Sequence, residues 1–186
     1  MIPLIIATVV VAVLALVLVW GFNRLRRADI GAQEALGGID VQLTRRADLV
    51  PNLIETVKGY AAHEKGLLNE ITDARTRVQQ AASGDDVAAR ASADAALERS
   101  LVNLSAVAEN YPDLKANTNY LDLQRQLGET ESQISFARQY YNDAVRSLNN
   151  LTQTIPWMFM TGVAGVSRRD FYEAPEGNRE VPRVQF

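Results

Sequence analysis

Residues 36–78, LGGIDVQLTRRADLVPNLIETVKGYAAHEKGLLNEITDARTRV, space their apolar side chains at three- and four-residue steps. Leu36, Ile39, Leu43, Ala47, Val50, Ile54, Val57, Ala61, Leu68, Ile71 and Val78 carry the rhythm, with one beat skipped at Glu64. An α-helix turns once in ~3.6 residues, so this spacing draws an apolar stripe down one helix face. It predicts helix over 29–82. Gly37 and Gly38 weaken that helix, and Pro51 removes a backbone donor, so a kink or split is expected near 48–50. Asp48 is placed to cap a restart. The expectation is one bent helix or two nearly collinear ones, about 80 Å in all at the standard rise.

Downstream, Asp85 or Asp86 caps a second helix through Val87, Ala91, Leu97, Leu101, Leu104 and Ala108, and Tyr111-Pro112 stops it. Asn117 or Thr118 opens a third, carrying Leu123, Leu127, Ile134, Ala137, Tyr141, Ala144, Leu148 and Leu151 and closed by Pro156. Short connections between amphipathic helices favour antiparallel neighbours. The expected fold class is therefore all-α: an N-terminal transmembrane helix followed by an elongated antiparallel up-and-down bundle of three to four long helices. The expected divisions are an anchor over 1–23, the bundle over 24–154, and an apolar segment with an extended tail over 155–186.

The anchor is read from residues 2–22, IPLIIATVVVAVLALVLVWGF, which carry no charge. About 20 such residues cross a hydrocarbon core of ~30 Å. A cleaved signal peptide would want a basic start, a shorter apolar core and a small-residue cleavage site, none of which the run offers. Arg24, Arg26 and Arg27 follow the span and no basic side chain precedes it, so the positive-inside rule puts the N-terminus outside and the bundle in the cytoplasm. Trp20 then lies at the inner headgroup level. The expected location is the cell (inner) membrane, single-pass, with lipid contacted through the N-terminal helix.

Composition removes much chemistry. The 186 residues carry a formal net charge of −3, which argues against a general nucleic-acid binder. Without cysteine there is no disulfide, thiol nucleophile or thiolate metal site. His63-Glu64 opens like a zincin motif, but Leu67 stands where a second histidine must share the helix face. One histidine cannot serve a di-iron bundle, and neither a phosphate-binding loop nor G-x-S-x-G occurs. No catalytic, cofactor-binding or metal-ligating residue is expected.

Some polar residues nevertheless fall in phase with the apolar stripes: Glu64 and Arg75 upstream, Glu131 and Arg138 in the last long helix. Either their stems lie at the edge of the buried face with the charges in water, or they form an inter-helix ionic network that fixes register. Residues 157–160, Trp-Met-Phe-Met, either close the end of the bundle or lie in the membrane interface. The tail 181–186 ends in Phe186 and alternates so that Val184 and Phe186 share one face of an extended strand, a form that can add to a partner's sheet edge. The alternative is that it folds back on its own bundle.

Residues 40–53 (DVQLTRRADLVPNL), 57–60 with His63-Glu64, 108–116 (AENYPDLKA) and 131–142 (ESQISFARQYYN) resemble the LemA family of bacterial membrane-anchored proteins. The likeness covers nearly the whole chain. It implies a single N-terminal anchor, an elongated antiparallel helical bundle and no established enzymatic activity, and it supplies no catalytic residues. Three functions compete. The leading one is a non-enzymatic membrane-tethered scaffold or adaptor, self-assembling as a homo-oligomer or holding a membrane-protein partner. The second is an accessory or regulatory subunit of a membrane protease or transporter, and the third a hydrolase using carboxylates around Glu64 and Glu131.

Overall fold

The structure, a computed structural model, describes residues 1–173; the expectations for Val184 and Phe186 lie outside the described residues. Regular structure among the described residues is all helical: α1 (Ile2–Lys58), α2 (Lys65–Ala82), α3 (Val87–Ala108), α4 (Pro112–Lys115), α5 (Thr118–Gln153), a 3-10 turn (Trp157–Met160) and α6 (Thr161–Ala164). The all-α expectation is borne out, with a long apolar N-terminal helix and further helices that pack as a bundle.

The first periodic region departs from expectation in two ways. Helix α1 does not split at Pro51; it runs through the proline to Lys58. The break comes instead at 59–64, where Gly59 lowers helix propensity and the stripe skips its beat. A single helix over 29–82 is thus replaced by a hairpin of α1 and α2. Ala61 still closes back on Val57 through a 2.8 Å backbone bond, so the last apolar positions of α1 stay buried as the chain turns.

Two compact units emerge, Met1–Gly37 with Gln139–Phe171, and Gly38–Arg138 with Tyr172 and Glu173. In the second unit, α2 returns antiparallel to α1, bringing Arg75 beside Ala47. Helix α3 is capped by Asp86, whose carboxylate accepts from the N–H groups of Ala88 and Ala89. It returns along α2, where Ser100 meets Glu70. Asn117 caps α5 by accepting from the Tyr120 N–H and donates to the Tyr60 hydroxyl at the end of α1. Fourteen residues farther along each helix, in opposite directions, Glu131 meets Arg46. That is an antiparallel up-and-down arrangement. Leu43, Val50, Leu53, Val57, Ile71, Leu97, Leu104 and Ile134 fill its interior with almost no exposure.

In the first unit, α1 begins with an 18-residue window of mean hydropathy 3.2 and none of it buried, long and apolar enough to cross a membrane. Its one hydroxyl, on Thr8, donates back to the Leu4 carbonyl at 2.9 Å, so that donor is satisfied within the helix. Leu25, Ala32, Leu36, Tyr141, Val145 and Leu148 form the core of this unit. Residues 166–171 are held by Asn149, which donates to the Arg169 carbonyl and accepts from the Arg169 N–H, much as a strand neighbour would. The Tyr141 hydroxyl donates to the Asp170 carbonyl, and Arg169 pairs with Asp29 at 2.8 Å.

Candidate functional site

The second unit buries an ionic cluster built from three helices and the segment after α6. At its centre is Asp94 of α3, with no solvent exposure. One carboxylate oxygen pairs with Arg46 of α1. The other accepts from Arg138 of α5 at 2.5 Å and from the Tyr172 hydroxyl at 2.9 Å. Arg46 is itself 2% exposed and pairs again with Glu131 at 2.5 Å, while Arg138 approaches Glu98 at 3.7 Å and Glu131 at 3.9 Å. The Arg138 guanidinium also lies over the Tyr172 ring, 5.7 Å from its centre. Buried charges persist when each is paired and hydrogen-bonded, and here the two arginines and three carboxylates serve one another.

The environment shifts two of these groups. Burial pulls the Arg46 guanidinium below its ordinary value, with Glu131 opposing. Burial likewise pushes the Tyr172 phenol up to about 12, with Arg138 and Arg46 pulling the other way. A second tie joins α1, α2 and α3. Arg90 donates to the Ala82 and Gly84 carbonyls at the end of α2 and pairs with Asp40 at 3.3 Å. The Asp40 carboxyl is raised above its usual range by burial, with Arg90 drawing it back down.

Of the residues in phase with the stripes, Glu131 and Arg138 belong to the cluster and Glu64 and Arg75 do not. Glu64 lies in the α1–α2 turn and accepts from the Tyr111 hydroxyl at 2.9 Å, which raises that phenol. Together with Tyr60–Asn117, this contact ties the family-like segments around 57–64 and 110–117 at one end of the bundle. Arg75 instead donates from Nε to the Ala47 carbonyl at 2.8 Å. That carbonyl is the one to which Pro51 has no N–H to offer, so the guanidinium stands in for the missing helical bond.

Of the cluster residues, Asp94, Arg46, Glu98 and Tyr172 were not singled out by sequence reasoning. Asp94 and Arg46 nevertheless had a signal. Asp94 is three residues after Ala91 and three before Leu97, and Arg46 is three after Leu43 and four before Val50.

Arg46, the partner of Glu131, lies ~18 Å up α1 from Lys58, and Glu64 sits beyond Lys58 in the α1–α2 turn, so the two carboxylates do not converge. Beside the cluster is a cleft of about 210 Å³ walled on one side by Arg46, Glu98 and Glu131 of the cluster and on the other by apolar side chains such as Leu53 and Leu101, with Ser105 as its one hydroxyl. Ser105 donates to the Leu101 carbonyl and accepts from Gln124, so no base activates it. Among the described residues, no group of three or more His, Cys, Asp or Glu is placed to hold a metal ion.

In the first unit, the membrane flank is ordered around two indoles. Trp20 and Trp157 meet edge to face, centroids 4.9 Å apart, and Arg24 lies 5.2 Å from one ring centre and 5.9 Å from the other. Arg26 pairs with Asp29 at 3.7 Å, and Arg27 is exposed.

Comparison with known proteins gives one family and several relatives. The model of the LemA family matches residues 35–186. Magnetosome proteins MamQ 1 and MamQ 2 of Paramagnetospirillum magneticum are each 24% identical over 209 residues, covering 97% of this chain and 77% of theirs. Magnetosome protein MamQ of Magnetospirillum gryphiswaldense is 22% identical, over 83% of this chain and 66% of its own.

Proposed function

This chain belongs to the LemA family, and from that premise we propose that it is a non-enzymatic scaffold tethered to the cell membrane. Residues 2–22 are the tether. The bundle holds further copies of the chain, or a membrane-protein partner, beside the bilayer. The observation that carries this reading is the ionic cluster: its buried charges are paired with one another rather than directed at a substrate. The names of the relatives, as proteins of the magnetosome, fit a part in a larger assembly. Size analysis and cross-linking of the detergent-solubilised protein test it. Discrete homo-oligomers or a defined complex support scaffolding; a monomer that cross-links to nothing sinks it.

Arg24, Arg26 and Arg27 after an uncharged span orient the N-terminus outward and the bundle toward the cytoplasm. Protease added to intact spheroplasts should spare the bundle, and its digestion without lysis would reverse the orientation. The second reading, an accessory subunit of a membrane protease or transporter, rests on the sequence of the tail. Val184 and Phe186 would contact the partner as an added strand. Deleting 184–186 should release co-purifying proteins with melting unchanged; lowered melting with partners retained would make the tail a strap on the bundle.

A further inference from the structure

After α5 the chain makes a short loop whose large apolar side chains are only partly absorbed by the fold. Met160 is buried and Trp157 half-buried, both against Gly21 of α1. A Cβ at position 21 would lie 2.5 Å from the Trp157 ring and 2.7 Å from the Met160 sulfur, so the loop docks on α1 only because a glycine stands there. Ile155, Phe159 and Val163 are not absorbed by the fold and are 73%, 73% and 79% exposed. Gly165, at φ +62°, then reverses the chain in a conformation that favours glycine, and the Val166 N–H closes on the Thr161 carbonyl at 3.0 Å. The loop is therefore a fixed projection with an apolar outer face.

Its place on α1 names the occupant. The docking point, Trp20-Gly21, is where the uncharged run ends and Arg24 begins the charged part of the helix. Trp157 meets Trp20 at the end of the exposed apolar run 2–20, so the loop carries the exposed side chains of Ile155, Phe159 and Val163 to the end of that run. Indoles concentrate at the headgroup level, and Arg24, held against both rings, is placed to meet lipid phosphates there. Large apolar side chains left exposed together in this way mark an interaction site. We infer that residues 155–163 are a second membrane contact, an interfacial wedge entering the boundary of headgroups and acyl chains in the leaflet from which α1 emerges. The inference rests on the reading of 2–22 as a span. With two attachments, the first unit is fixed in rotation about the axis of α1, which a lone helix would leave free.

The chain has no cysteine, so single-cysteine variants can be spin-labelled without background. The full-length protein, in bilayers of phosphatidylcholine and phosphatidylglycerol, would carry nitroxides at Phe159→Cys or Val163→Cys. Leu14→Cys marks the span and Arg146→Cys, on exposed α5 surface, marks water. Collision with oxygen, relative to a water-soluble nickel chelate, should be severalfold higher at 159 and 163 than at 146 and lower than at 14. Ratios at 159 and 163 equal to that at 146 would overturn the wedge while leaving the span in place. Shielding of both labels from both reagents would also overturn it, showing protein rather than lipid on this face. An aqueous ratio at Leu14→Cys would bring down the span and the wedge together.

Discussion

The Nε–H of Arg75 lies 2.8 Å from the carbonyl oxygen of Ala47, the acceptor that Pro51, four residues on, cannot serve. A proline inside a helix ordinarily kinks it by removing a bond and crowding that same carbonyl. Here the bond is replaced from a neighbouring helix, 28 residues away in sequence, and α1 runs on to Lys58. Arg75→Ala should leave the carbonyl without a donor and cost about 1–3 kcal/mol. In a Pro51→Ala background, where the backbone N–H returns, the same substitution should cost below about 1 kcal/mol. Denaturant unfolding of the four proteins in this cycle reads the coupling; an equal loss in both backgrounds would mean Arg75 acts elsewhere.

Asp94 holds Arg46, Arg138 and Tyr172 at once, so its removal strands a buried guanidinium. Asp94→Ala should destabilise by ~3–5 kcal/mol, the range for breaking a buried ion pair from one side. Glu131 is 37% exposed, and water can take its place on Arg46, so Glu131→Ala should cost about 1 kcal/mol or less. Arg138→Ala, at an intermediate exposure of 24%, should fall between them. Equal melting midpoints for all three variants and the parent would show the cluster to be solvated.

How much of this could be read in the sequence follows from which signals are local. Helical phase is local, and it brought out Glu131 and Arg138 together with the helix that carries them, α5. The same phase test admits Asp94 and Arg46. In α3, however, Ala88, Ala89, Ala91, Ala93, Ala95 and Ala96 make almost any face look apolar, and Asp94 reads as one polar residue among small ones. Pro51 shows a lost donor plainly, yet its remedy depends on the reversal at 59–64, which only then sets Arg75 beside Ala47. Tyr172 lies outside any helix, so periodicity says nothing of it. Gly21 looks like one more small residue in an apolar run until Trp157 is placed against it.

Gly21 therefore makes a separate prediction. Gly21→Leu must displace Trp157 or Met160, because even the first side-chain carbon lies within 2.7 Å of both. Leucine favours helix over glycine by somewhat less than about 1 kcal/mol, so the helicity of α1 should hold or rise. In a Trp20→Phe background, Trp157 is the sole indole, and its emission maximum should shift in Gly21→Leu with far-UV circular dichroism undiminished. Unchanged emission would mean the loop does not dock at this point.

Tyr172 supplies a pH dependence whose sign is fixed by its surroundings. Its phenol is raised from 10.0 to about 12, chiefly by burial, and in the fold its hydroxyl donates to the Asp94 carboxylate at 2.9 Å. Because the folded value exceeds the unfolded one, the protonated form contributes stability that is complete below pH 10 and lost as pH rises through about 12. Ionisation would set a phenolate against a carboxylate with no proton between them. A shift of this size corresponds to a loss on the order of 3 kcal/mol across that window. The protein has five other tyrosines, so the parent alone cannot isolate the effect. Tyr172→Phe can, because it keeps a ring over Arg138 and removes only the hydroxyl. The variant should start about 1 kcal/mol less stable at neutral pH, for the lost hydrogen bond. From pH 10 to 12 it should then fall less steeply than the parent, so that the two unfolding free energies converge or cross. Parallel curves through that window would show that Tyr172 reaches water freely and does not cover Asp94.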